Sequence, residues 1–162
     1  MPIATFPQGD LALLDHPVAS LLLASPIPAR LGYVAIDGTP RVTPMWFSWN
    51  GGEFIFGASG ISSKVTALRE NPSVAFTIDT ETAPYKALSV RGIARIEIVE
   101  GAVEEYADSA LRYVGPVEGA RFRDYAVASF RGMARITVRP DWVGLIDFET
   151  RFPAGYGSAR SG

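Results

Sequence analysis

The 162-residue chain contains no cysteine, a single histidine (His16) and only two lysines, Lys64 and Lys86, beside thirteen arginines. Without cysteine there are no disulfides, no zinc–thiolate sites and no thiol catalysis. One histidine argues against a protein-built transition-metal site, which usually draws on several imidazoles. It also leaves a Ser-His-Asp hydrolase only one candidate base. Basic charge is not in excess: the net charge is −2 and the pI about 5.4. Neither nucleic acid nor an acidic membrane surface is therefore an expected partner, and basic and aromatic residues do not alternate as in a single-strand binder. No apolar run approaches the roughly 18 residues of a membrane span. The opening "MPIATFPQGDLALLDHP" lacks the basic-then-apolar pattern of a secretory signal, so the expected location is the cytoplasm.

What is present fits one globular domain: 48% apolar and 20% charged residues, with a length able to bury one sizeable core. We expect that domain over residues 1–153, followed by a Gly/Ser-rich tail, "AGYGSARSG", over 154–162. Leucines at 11, 13, 14 and 21–23 predict helix near the N-terminus, started or kinked at Pro17. "RLGYVAI", "RVTPMWFSW", "EFIFGAS", "SVAFTI", "YKALSVRGIARIEIV", "GMARITVR" and "WVGLIDF" read as seven strands. Turn signals "DGTP" and "NGG" separate the first three. The fifth reads as bent at Gly92, and one or two helices, broken at Gly115-Pro116, precede the sixth. Short turns rather than helical crossovers favour a mainly β, antiparallel barrel or sandwich with helices at its margins. The shared core G-x-A-R-I at residues 92–96 and 132–136 reads as two glycine-kinked strands, not as a duplication.

Two stretches carry chemistry. In "GASGISSKVTALRENP", Lys64 stands at the first turn of a predicted helix, where the macrodipole disfavours a cation. The pattern falls short of a phosphate loop, because no glycine precedes the lysine and valine follows it, leaving no magnesium-binding hydroxyl. Helix amides, Ser59, Ser62, Ser63 and Lys64 could still hold one phosphate. The plainer reading is a capping serine beside a solvated lysine. In "RVTPMWFSW", Pro44 cannot donate to a sheet ladder and stands beside Met45 and Trp46. Such a strand suits an edge, a bulge or backbone that faces a ring system; the plainer reading is an edge strand with core aromatics.

Taken in order, the D-G-x-P turn, the strand ending P-x-W-F, the G-G hairpin, the lysine-bearing loop and the L-R-x-N-P-x-V step over residues 35–79 resemble the pyridoxamine 5′-phosphate oxidase-like family. "PYKALSVRGIARI" and "RITVRPDWVGLIDF" extend the resemblance, so that it covers roughly residues 28–150. It implies an antiparallel split β-barrel with peripheral helices. It also implies a homodimer with a flavin-type cofactor, FMN or the deazaflavin F420, at the subunit interface. The cofactor-binding residues it implies are Arg41 and Lys64 for the phosphate and Val42, Thr43, Pro44, Met45 and Trp46 along the ring. Gly57, Ala58, Ser59 and Ser63 complete that set. Amides around Met45 and Trp46 would stabilise negative charge developing on the ring.

Departures narrow the expectation. Ala58 and Ser63 stand where pyridoxamine phosphate oxidases proper usually carry threonine and arginine, and their C-terminal histidine and arginine set is missing, so that activity is not expected. The resemblance implies an oxidoreductase moving a hydride to or from a small organic substrate, with FMN somewhat favoured by the acidic composition. F420-dependent reduction and a non-catalytic flavin carrier or sensor remain the alternatives. No catalytic acid or base is assigned. Tyr85 and Lys86 are the substrate-side candidates, against the plainer reading of an exposed lysine between loop and strand.

Overall fold

The computed structural model describes residues 6–152; the expected tail over 154–162 lies outside them. Alternating side chains produce seven strands: β1 (Ala29–Val34), β2 (Pro40–Met45), β3 (Phe47–Trp49), β4 (Phe54–Ser59), β5 (Ser73–Asp79), β6 (Lys86–Ile98) and β7 (Met133–Asp147). They form a single antiparallel sheet in the order β2-β1-β5-β6-β7-β4-β3. The count matches the seven expected, but the division differs at two places.

First, the expected strand over "RVTPMWFSW" is two strands. β2 pairs with β1 at one edge of the sheet (Met45 opposite Ala29), and β3 pairs with β4 at the other (Phe47 opposite Phe56). Only Trp46 lies between them, and two peptide steps reach at most about 7 Å. The two edges must therefore lie side by side, which curls the sheet shut into a barrel. Strand continuity rather than a hydrogen-bonded ladder closes it, the arrangement of a split barrel.

Second, the two last expected strands are one. β7 runs through Pro140, which faces Gly92 of β6 where the register shifts and Asp141 of β7 is left without a partner, a bulge of the kind that accommodates proline within a strand. Gly92 is needed at this bend: a Cβ on it would stand 2.4 Å from the Arg139 carbonyl oxygen. Gly132, its counterpart in the other G-x-A-R-I, instead serves a turn at φ +62°. The two motifs thus have different structural roles.

Four α-helices surround the sheet: α1 (Pro17–Leu23), α2 (Ser63–Glu70), α3 (Glu104–Val114) and α4 (Pro116–Ser129). Pro17 starts α1, after a 3-10 turn over Leu11–Asp15, and Leu13 and Leu22 join Phe54, Phe56, Phe76 and Leu88 in the fully buried core. Burial of side chains of this size stabilises by about 1.5–3 kcal/mol each before chain entropy is counted. Gly115 at φ +89° turns α3 into α4, and Gly119 lets the two helices meet, since a Cβ there would stand 2.6 Å from the Leu111 Cα. No helix among the described residues is long and apolar enough to cross a membrane.

Candidate functional site

β4 leads directly into α2 through a tight loop. Ser62 caps α2, its hydroxyl accepting from the Val65 N–H at 3.4 Å, and Asn71 ends it before Pro72. The helix start lies beside the point where β2 gives way to β3. A groove of about 330 Å³ results, lined by Pro44, Met45 and Trp46, by Gly57, Ala58 and Ser59, by Ser62 and Lys64, and by Tyr106 of α3. The sequence reading therefore assembles in good part: eight of its candidate residues line one groove.

Lys64 is half-buried there and has no hydrogen-bond or ion-pair partner among the described residues. Burial lowers its pKa below the ordinary lysine value. A partly desolvated cation without a counter-charge is unfavourable unless an anion completes its surroundings. Lys86, by contrast, is neutralised by Glu149 at 2.8 Å and Asp147 at 3.8 Å.

The other candidates lie elsewhere. Arg41 and Ser63 line a neighbouring cleft with Tyr33, Ala35, Ile36 and Asp37. Ser63 and Lys64, adjacent at the start of α2, thus face different clefts. The Arg41 guanidinium is held by Asp37 at 3.0 Å and by Thr39 and the Pro40 carbonyl. Val42 is 72% exposed on the outer face of the sheet, and Thr43 is half-buried and lines neither cleft. Lys86 and Tyr85 line neither; Tyr85 packs edge-on against Phe148, with centroids 6.5 Å apart.

Sequence reasoning missed the wall contributed by α3. Trp46 stacks on Tyr113 and also meets Tyr106 and Phe122. The Tyr113 hydroxyl accepts from the Phe47 N–H at 3.2 Å, while Arg112 donates to the Phe47 carbonyl, to Ser25 O at 2.8 Å and to Leu23 O at 3.1 Å. Helix α3 thereby satisfies both backbone groups of the first residue of β3. Gly57 allows Tyr106 this close, for a Cβ would stand 2.6 Å from the Tyr106 Cβ. Burial raises the phenol pKa of both Tyr106 and Tyr113. The one available signal was their spacing of seven residues, which puts both rings on one helical face.

A seven-stranded antiparallel barrel closed through Trp46, with a cation-bearing groove where β2, β4, α2 and α3 meet, places the molecule among the split β-barrels. The family model for pyridoxamine 5′-phosphate oxidase matches residues 16–145, and the chain belongs to the pyridoxamine 5′-phosphate oxidase-like family. Among solved structures, an F420 reductase is 29% identical with TM-score 0.60, covering 77% of this chain and 94% of that one. A conserved hypothetical protein from Mycobacterium tuberculosis is 20% identical with TM-score 0.67, over 90% of this chain and 91% of the other. The heme storage protein of Vibrio cholerae is 19% identical with TM-score 0.58, over 82% and 93%; these last two share the fold. No curated protein matches the sequence.

The residues present fit the phosphate of a flavin-type cofactor. Lys64 lacks a counter-ion among the described residues, Ser59 and Ser62 line the groove with it, and no described carboxylate does.

Proposed function

We propose that this protein is a flavin-type oxidoreductase acting on a small organic molecule, with its cofactor held in the Lys64 groove. The observation that carries the reading is the half-buried Lys64, without a partner among the described residues, in a groove walled by Pro44, Met45, Trp46 and the end of β4. Similarity to an F420 reductase over 77% of the chain supports F420. FMN, which composition alone favours, is the second reading and rests on the family.

When bound, such a cofactor supplies the hydride chemistry. The protein's part is binding and orientation. Lys64, Ser59 and Ser62 would hold the anionic group, with the α2 N–H groups adding positive potential. Pro44 to Trp46 form a wall for a planar ring, and Trp46, fixed by Tyr113, limits access of water from the α3 side.

We further propose a homodimer. Val42, 72% exposed, and Ile93, 51% exposed, lie on the outer face of β2, β1, β5 and β6 beside Gly32. Arg41 lines both this face and the cleft with Ser63. A second copy on the face would bury the apolar residues and complete the surroundings of Arg41.

Fluorescence titration of the purified protein with F420 and with FMN tests the reading. Saturable binding of one of them, weakened in Lys64→Ala, is expected; binding of neither overturns it. Reoxidation of the reduced, loaded protein with added acceptors then separates an enzyme from a carrier, since a carrier accelerates none of them.

A further inference from the structure

The Lys64 groove does not end at Tyr106. A second cleft of about 380 Å³ shares Gly57, Ala58, Ser59 and Tyr106 with it and continues to Ser129, Phe130, Arg131 and Met133. The two clefts adjoin at the end of β4, where they share the first four of these residues, and Ser59, Ser129 and Arg131 are exposed along them. Lys64 stands in one cleft and Arg131 in the other, and no described carboxylate lines either.

Arg131 follows the C-terminus of α4. Its guanidinium donates to the Phe130 carbonyl at 2.7 Å and to the Ala128 carbonyl at 3.0 Å, and it has no acidic partner among the described residues. Those carbonyls orient the fork without neutralising it. Arg121, Arg123 and Arg135, on the same helical hairpin or the following strand, are each paired with a carboxylate. The Ser59 and Ser129 hydroxyls beside Arg131 make no hydrogen bond among the described residues. The guanidinium N–H groups left over from those two carbonyl contacts, with the Ser59 and Ser129 hydroxyls, suit a carboxylate, whose oxygens accept charge-assisted hydrogen bonds.

We propose that the Arg131 cleft is a carboxylate-binding subsite, so that a ligand anchored at Lys64 by one anionic group is joined by a carboxylate at Arg131, Ser129 and Ser59. The inference rests on the proposed cofactor site. The carboxylate has two chemical sources, the glutamate tail of F420 itself or a separate carboxylate substrate beside the bound cofactor.

The test uses the full chain, wild type and as Arg131→Ala, Arg131→Lys and Lys64→Ala, titrated by fluorescence with long-tailed F420, with F420 lacking glutamates beyond its phospholactate, and with FMN. If the tail is the source, Arg131→Ala weakens long-tailed F420 by about tenfold, the loss of roughly one charge-assisted hydrogen bond. FMN affinity stays unchanged, and Arg131→Lys falls between. If a separate substrate is the source, all cofactor affinities stay unchanged. Citrate then shifts the backbone amide resonances of Ser59, Ser129 and Arg131 saturably in wild type and not in Arg131→Ala. Equal binding of long-tailed F420 and no citrate shift in either protein overturns the inference while leaving the cofactor site standing. Should neither cofactor bind, the functional reading falls, and the citrate titration alone upholds or overturns the subsite. If Arg131 only caps α4, Arg131→Ala lowers the melting temperature but shifts affinity for all three ligands equally, which also overturns it.

Discussion

The Trp46 indole lies flat on the Tyr113 ring, centroids 4.8 Å apart and planes 4° from parallel. Trp46 is the one residue between the two edges of the sheet, and Tyr113 sits on α3, far along the chain. The stack therefore fastens the barrel closure to a helix and sets one wall of the candidate site in the same contact.

The Tyr113 hydroxyl and ring have separable roles. Tyr113→Phe keeps the stack and leaves the Phe47 N–H without its acceptor, which is expected to cost about 1–3 kcal/mol. Tyr113→Ala also removes the ring and is expected to cost about 3–5 kcal/mol. Urea denaturation measures both; equal losses would show that the ring contributes nothing beyond the hydroxyl.

Gly57 sets the distance between β4 and α3. In Gly57→Ala the new methyl meets the Tyr106 Cβ at 2.6 Å, its Cγ at 2.7 Å and the Met133 Cε at 3.1 Å. The helix must move outward, with an expected loss of about 1–3 kcal/mol and weaker cofactor binding. Gly57→Ala combined with Tyr106→Ala should recover part of the stability, and no recovery would place the clash elsewhere.

Lys64 and Arg41 should differ in weight. Lys64 has no partner among the described residues, so Lys64→Ala is expected to weaken cofactor binding by about tenfold or more at low salt, and less at high salt. Arg41 is already held by Asp37, so Arg41→Ala should lose less. Isothermal titration at two salt concentrations compares them, and the reverse order would place the anion in the Arg41 cleft.

Lys64 also imposes a pH dependence. Burial favours its neutral form and lowers its pKa from 10.5, whereas an anion prefers the protonated form. As pH rises through the lowered value the positive charge is lost, so affinity should decline in the alkaline range before an ordinary lysine would titrate. Lys64→Arg keeps its charge there and should remove that decline. A decline that persists unchanged in Lys64→Arg would belong to another group.

Asp147 governs the acid limb of stability. It is 1% exposed, and burial alone would raise its pKa. The Thr150 hydroxyl, the Glu149 N–H, the Lys86 charge and the Thr150 N–H together outweigh burial and hold the carboxyl below 3.8. A folded-state pKa below the unfolded one gives stability that is present above the unfolded value and lost as pH falls through the folded one. Urea midpoints should therefore drop below about pH 4 in wild type and change less over that range in Asp147→Asn.

Much of this was legible in the sequence. Pro17, the Asn71-Pro72 stop, the bend at Gly92 and the Gly115-Pro116 break all act where expected, because proline and glycine constrain the backbone whatever surrounds them. Pro140 is the instructive exception. Its sequence reads as a strand end, yet β7 continues through it, because Pro140 sits at a bulge: it pairs with Gly92 and the next residue, Asp141, has no partner on β6. A proline's missing N–H matters only if a partner carbonyl awaits it, and that partner is 48 residues away in the chain. The division of "RVTPMWFSW" escaped for a related reason, since an apolar run does not record which strand lies beside each half.

Local chemistry by itself determined which stretches are extended, though not how they divide into strands, together with the serine-capped helix, the unusual lysine at its start and the run Pro44 to Trp46. Only the tertiary structure decided which of these share a groove. It put Lys64 with Trp46 and Ser59, turned Ser63 and Arg41 to another cleft, brought in Tyr106 from α3, and set Arg131, just past α4, in the adjoining cleft. Backbone preferences act over a few residues, whereas side-chain neighbours across a closed barrel are set by strand order, register and which face each residue presents.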